Sequence, residues 1–157
     1  KKSESKLCIT GSVREGLKES ILIAQTLIEN ELNILFKNLH MHFGAGISEI
    51  VKEGSSAGLA IYCVLKSYIT KTTLYGLAFT GEIDLMGNIF SVGKIKEKLI
   101  AAENFNIHTV YLPSDNLNEI REDKTFFTNL NLIGVKNVRD LDELFIDKKE
   151  NSVLKER

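Results

Sequence analysis

The sequence predicts a mixed α/β domain with a partly parallel sheet. Two observations carry this: strand-like and helix-like stretches alternate along the 157 residues, and a Met86-Gly87-Asn88 turn between short apolar runs marks one β-hairpin. A hydrophobic content of 43% is enough for a substantial core. One domain over residues 1–146 is therefore expected, with a charged tail at 147–157 that frays.

Leu7-Cys8-Ile9-Thr10 reads as a first strand. Ser12, with Glu15 three residues later, reads as a capping box that opens a helix, along which Val13, Leu17, Ile21, Ala24 and Ile28 recur at helical spacing. Leu39 to Phe43 reads as a second strand. A polar, glycine-containing loop follows to Ser55, a length uncommon unless functional. From Ser56 to Thr70 the pattern is apolar nearly all round, which predicts a buried helix. Leu74 to Phe79 is a strand, and Ile83–Leu85 with Ile89–Ser91 forms the hairpin. Lys94 to Phe105 reads as a helix, and the strand His108–Leu112 stops at Pro113, the only proline. Ser114 can cap a short helix through Leu117 and Ile120; a strand at Leu130–Val135 and a helix at Val138–Phe145 complete the domain.

Charge and composition exclude several functions. Twenty Lys and Arg against twenty-one Asp and Glu give a formal net charge of −1, so no global field gathers nucleic acid or anionic membrane. Cys8 and Cys63 lie in apolar runs without a CxxC pattern, which predicts buried free thiols in a reducing compartment. No run approaches the ~18 apolar residues of a membrane helix, and the opening Lys1-Lys2-Ser3-Glu4 leads into no signal-peptide pattern. A soluble intracellular chain is expected. Because it begins without methionine, it is read as a piece of a longer polypeptide.

The segment Glu53-Gly54-Ser55-Ser56-Ala57-Gly58 places small residues where the long loop meets the apolar helix. A serine at a helix start sits near free N–H groups and the positive end of the dipole, which suits the oxyanion of acyl transfer. A plain helix cap is the alternative role for Ser55 or Ser56. Lys98 falls on the flank of the Ile95, Leu99, Ala102 stripe, whereas Lys96 and Glu97 point elsewhere. Burial there would lower its pKa and let it act as a base; laying its stem over a core edge is the alternative. Working neutral at pH 7 requires a fall of about three pH units, about 4 kcal/mol. His40 and His42 share a strand face, but His108 is the only other histidine and no Glu or Cys stands at ligand spacing, so a metal site is disfavoured. A Ser/His/Asp triad through His42 is possible and ranks below a Ser/Lys dyad.

With those residues in view, the sequence resembles the Lon protease family over residues 7 to 146. Glu53 to Gly58 is similar to the family's nucleophile segment, Thr80-Gly81-Glu82 to its Thr-Gly-Glu stretch, and Lys96-Glu97-Lys98-Leu99-Ile100-Ala101-Ala102 to the segment holding its catalytic lysine. Thr10-Gly11-Ser12, Lys18-Glu19-Ser20 and His108 to Asn116 extend the match. Ser55 and Glu53 stand where the family usually has proline and aspartate, and the loop after His42 is about two residues longer, so the approach to Ser56 is less stiff. The resemblance implies a fold related to the second domain of a small-subunit ribosomal protein. It also implies an endopeptidase with Ser56 as nucleophile and Lys98 as base, supported by Thr80, Ala57, Glu53 and His42. Unfolded polypeptides would be the substrates and a six-membered homo-oligomeric ring the assembly, in the bacterial cytoplasm or mitochondrial matrix. No cofactor is implied for this domain; no GxxxxGK[ST] loop occurs in the chain, and ATP and magnesium belong to an ATPase domain expected upstream. Two rivals remain. A catalytically impaired Lon-like assembly or binding domain lacks the serine-lysine pair that is present here. A small-molecule kinase of the mevalonate type shares only the short Gly54-Ser55-Ser56-Ala57 stretch.

Overall fold

A computed structural model describes residues 6–44, 54–124 and 127–146. The expected tail at 147–157 and most of the loop after Gly44 lie outside these residues. The chain opens as strand β1 (Lys6–Thr10), helix α1 (Glu15–Leu32) and strand β2 (Asn38–His42), with β1 and β2 parallel from Lys6 opposite Asn38 to Thr10 opposite His42. Parallel pairing of consecutive strands requires a crossover, which α1 supplies. Leu17, Ile21, Ala24 and Ile28 are buried, three and four residues apart, as one helix face demands. Asn33 ends the helix in the left-handed region at φ 50°, its N–H bonded to the Glu29 carbonyl.

The helix entry differs from the sequence expectation. Arg14, in extended conformation, holds the N-cap position in place of Ser12, and its side chain makes no capping bond. The chain bends instead at Gly11 (φ 97°), where a Cβ would lie 2.4 Å from the Phe43 carbonyl oxygen. Only glycine allows β1 to leave so close to the end of β2.

A 3₁₀ turn at Ser55–Ala57 leads into α2 (Gly58–Thr70). Next come β3 (Leu77–Phe79), β4 (Glu82–Ile83), β5 (Ile89–Phe90), α3 (Ile95–Asn104), β6 (Thr109–Pro113), α4 (Ser114–Glu122) and β7 (Asn131–Val135), with a 3₁₀ helix at Val138–Phe145. Strands β3, β6 and β7 form a parallel sheet in that order. The central β6 buries Thr109, Val110, Leu112 and Pro113, the near-continuous burial expected of a covered parallel strand. Strands β4 and β5 form the expected antiparallel hairpin, and Asp84 accepts the N–H groups of Met86 and Asn88 at 2.9 Å each. Pro113, not Ser114, stands at the N-cap of α4, and no side chain caps it. The last helix is capped reciprocally by Asn137 and Asp140. The architecture is the mixed α/β class that the residue pattern predicts.

Two apolar clusters form the interior. One joins α1, α2, the hairpin and the last 3₁₀ helix; the other lies among α3, α4 and the three-stranded sheet. Helix α2 is less buried than its sequence suggests, since Val64 and Tyr68 are 58% and 68% exposed. Lys66 on the same helix is only 4% exposed, and its ammonium donates to Glu31 of α1 and to Asp142 of the last 3₁₀ helix. Cys63 is buried, but Cys8 is exposed. Among the described residues β1 pairs only with β2, and Cys8 on it is uncovered, contrary to the expectation from its apolar neighbours.

Candidate active site

Ser56 lies in the middle of the 3₁₀ turn that opens α2. Gly54 precedes it at φ 128°, a conformation that L side chains rarely adopt. Among the described residues neither Ser55 nor Ser56 caps the turn or α2 through its side chain. The Ser56 carbonyl is fixed instead: the Gly81 N–H donates to it at 3.0 Å and the Thr80 hydroxyl at 3.5 Å. In return the Leu59 N–H donates to the Gly81 carbonyl at 3.0 Å. These bonds lock the serine turn to the segment before the hairpin. The lock demands small residues, because a Cβ on Gly58 would meet Ile83 at 3.0 Å and one on Gly81 would meet Ile89 at 2.8 Å.

Lys98 approaches from the other apolar cluster, on α3. It lines two cavities with Ser56. One, of about 330 Å³, is bounded also by Gly54, Glu82, Gly93 and Lys94; the other, of about 280 Å³, by Ala57, Thr80, Leu99 and Ala102. Ser56 and Lys98 thus border the same two cavities. Burial lowers the pKa of Lys98, the charged amine having lost part of its water. Lys96, two residues away, is the contrast: its amine meets the Asp123 carboxylate at 2.6 Å, and that hydrogen bond and charge raise its pKa. Among the described residues no hydrogen bond joins the Ser56 hydroxyl to the Lys98 amine.

The wall of the larger cavity is set by Asn116, which is 2% exposed. Its side chain accepts the Val92 N–H at 2.8 Å and donates to the Val92 carbonyl at 3.0 Å, holding the segment that leads into α3. Sequence reading did not single out Asn116, and neither its position nor its neighbours signal this role. Glu82 and Lys94 were likewise not singled out for the cleft, although Glu82 closes the Thr80-Gly81-Glu82 stretch.

The remaining candidates separate. Thr80 and Ala57 share the smaller cavity with Lys98. Glu53 lies outside the described residues. His42 sits at the end of β2, in a groove beside Ala57, and lines neither cavity that holds Ser56 and Lys98. Its Nδ1 and the Nε2 of His40 both lie 2.9 Å from the Thr10 hydroxyl. One hydroxyl carries one proton, so at least one ring donates to it. Among the described residues no group of three or more His, Cys, Asp or Glu is placed to hold a metal ion, and no helix is long and apolar enough to cross a membrane.

Comparison with known proteins points the same way. The model of the Lon protease (S16) C-terminal proteolytic domain matches residues 1–147. A Lon protease of Methanosphaera stadtmanae is 40% identical over 138 residues, which is 78% of this chain and 16% of the relative. A Lon protease of Aster yellows witches'-broom phytoplasma is 37% identical over 150 residues, 89% of this chain and 19% of the relative. The mitochondrial Lon protease homolog of Drosophila melanogaster is 36% identical over 130 residues, 78% of this chain and 13% of the relative. The chain spans less than a fifth of the length of each of these three relatives.

Proposed function

Because the chain belongs to the Lon protease family as a C-terminal proteolytic domain, we propose that it hydrolyses peptide bonds of unfolded polypeptides with Ser56 as nucleophile and Lys98 as general base. The observation that carries this reading is the pairing of the two side chains in the same two cavities, with burial lowering the lysine pKa. Neutral Lys98 takes the Ser56 hydroxyl proton as Oγ attacks the substrate carbonyl. The resulting ammonium returns that proton to the leaving amine when the peptide C–N bond breaks. Water then attacks the acyl carbonyl, giving its proton to Lys98; the C–Oγ bond breaks, the Lys98 ammonium returns a proton to Oγ, and the carboxylic product leaves with Ser56 regenerated.

Backbone N–H groups at Ser56 and Ala57, at the start of the turn, are suited to the oxyanion. Thr80 supports the pair by holding the Ser56 carbonyl and by lining the cavity beside Lys98. Lys98 is only partly covered, so a substrate lying over the cleft completes its desolvation and favours the neutral amine. In the longer parent protein an upstream ATPase domain, using ATP and magnesium, feeds chains into a six-membered ring in the bacterial cytoplasm or mitochondrial matrix. Ser56→Ala and Lys98→Ala should each abolish peptidase activity with the fold intact, while Ser55→Ala and Lys96→Ala retain it. Activity persisting in either of the first two variants ends the dyad proposal.

A further inference from the structure

A groove of about 560 Å³ runs between β2 and α2. Consecutive residues of β2, Leu39, His40, Met41 and His42, all line it, so the strand presents its edge and not one face. Among the described residues β2 pairs only with β1, and its flanking bonds, Lys6 N–H to the Lys37 carbonyl and Phe43 N–H to the Thr10 carbonyl, also go to the β1 side. The opposite wall is Ala57 of the 3₁₀ turn and one face of α2, with Ala60, Ile61, Val64 and Tyr68 at intervals of one, three and four residues. Among the described residues that line the groove there is no Asp, Glu, Lys or Arg. Ala57 and Ala60 also line the cavity that holds Ser56 and Lys98, so the groove borders the candidate active site.

We propose that this groove binds the substrate polypeptide as an added extended strand, its backbone pairing with the edge of β2 opposite β1 and alternate apolar side chains packing on α2. The proposal rests on the peptidase reading above and names where the substrate runs. The geometry supports it in two ways. An unpaired edge supplies N–H and C=O groups that any sequence can pair with, which gives affinity without side-chain selectivity. Five residues of β2 extend over about 16 Å, room for about five substrate residues. The stripe of α2 then adds a preference for uncharged, apolar residues at every second position.

Two measurements test this. The first compares hydrolysis of capped fluorogenic peptides of two and six apolar residues by wild type, Val64→Glu and Tyr68→Glu, both changes being at exposed positions that leave the core intact. Wild type should gain about tenfold or more in kcat/KM with length, the sum of a few cross-strand pairs. The variants should lose that gain while cleaving the short peptide at the wild-type rate. The second measures binding of the six-residue peptide, N-methylated at one backbone amide at a time, to Ser56→Ala protein. Methylation should weaken binding by about tenfold at alternate positions only, as edge pairing requires. A length gain that survives in both variants overturns the proposal, as does an N-methyl profile without a period of two. Should Val64→Glu alter sedimentation or thermal stability while the length gain persists, the groove is covered by a second copy or by another segment of the parent chain, and the proposal also fails. Activity in Ser56→Ala with an intact N-methyl pattern refutes the dyad and leaves the groove standing. A flat pattern with inactive Ser56→Ala refutes the groove alone.

Discussion

Replacing Lys66 by Met tests what holds α2, the helix that the Ser56 turn opens. The Lys66 ammonium donates to Glu31 at 2.5 Å and to Asp142 at 3.0 Å, and lies 5.0 Å from the Phe145 ring centroid. These contacts tie α2 to α1 and to the last 3₁₀ helix. Met keeps the stem of the side chain and removes the charge, so packing is nearly conserved. Removing one partner of a fully buried ion pair costs about 3–5 kcal/mol. Here the carboxylates are 35% and 55% exposed, and water takes over part of their stabilisation. About half of that cost, ~2 kcal/mol, is therefore expected. For a chain of this size that corresponds to a fall of about 4–8 °C in Tm. Thermal unfolding at pH 7 followed by circular dichroism reads the effect. Lys96→Met is the control, because its ion pair with Asp123 is half-exposed on both sides and its loss should leave the melt unmoved. An unchanged Tm for Lys66→Met, or an equal fall in the control, would refute the reasoning.

Three further predictions concern the site and its surroundings. Asn116→Ala leaves the Val92 N–H and carbonyl without their buried partner; it should cost ~2 kcal/mol in urea unfolding and lower kcat more than it raises KM, whereas a purely structural role would leave kcat unchanged in the folded variant. Lys98→Met should raise Tm at neutral pH. Burial lowers the folded-state pKa of Lys98, so the unfolded chain binds its proton more tightly, and this group opposes folding below the folded pKa. That penalty is relieved as pH rises between the folded value and the unfolded value near ~10.4. The variant should lack that rise, and a lower Tm at pH 7 would contradict the sign. Iodoacetamide should label Cys8 in the native protein and leave Cys63 untouched until unfolding, since burial pushes the Cys63 thiol up and shields it; native labelling of Cys63 would refute its burial.

Local patterns in the sequence carried most of the fold. The stripe of Leu17, Ile21, Ala24 and Ile28 defined α1, and Met86-Gly87-Asn88 marked the hairpin, because spacing and turn chemistry are local properties. Helix entries were less legible. Ser12 looks like a cap, yet the close approach of β1 and β2 at Gly11 and Phe43 decides where α1 begins, a tertiary fact. Exposure misled for a related reason: Val64 and Tyr68 line the groove beside β2, and Cys8 lies on β1, which among the described residues pairs only with β2; neighbours in sequence reveal neither setting. Lys66 went unremarked because its partners, Glu31 and Asp142, lie 35 and 76 residues away. At the candidate site, Ser56 and Lys98 were legible through the helix start and the flank of the Ile95, Leu99, Ala102 stripe. Asn116 was not, since its role depends on a backbone segment 24 residues distant.

The central claim is that a partly buried amine accepts the Ser56 proton. Nuclear magnetic resonance titration of the Lys98 side chain, free and with a peptide boronate bound at Ser56, addresses it directly when paired with the pH dependence of acylation by an activated ester. The account predicts a Lys98 pKa below the ordinary ~10.4 in the free domain, and an acylation rate that rises with pH through that same midpoint. It also predicts that Lys98→Met abolishes the dependence together with the reaction. A Lys98 amine that titrates like a fully hydrated lysine in both states, with acylation indifferent to its protonation, would contradict the account.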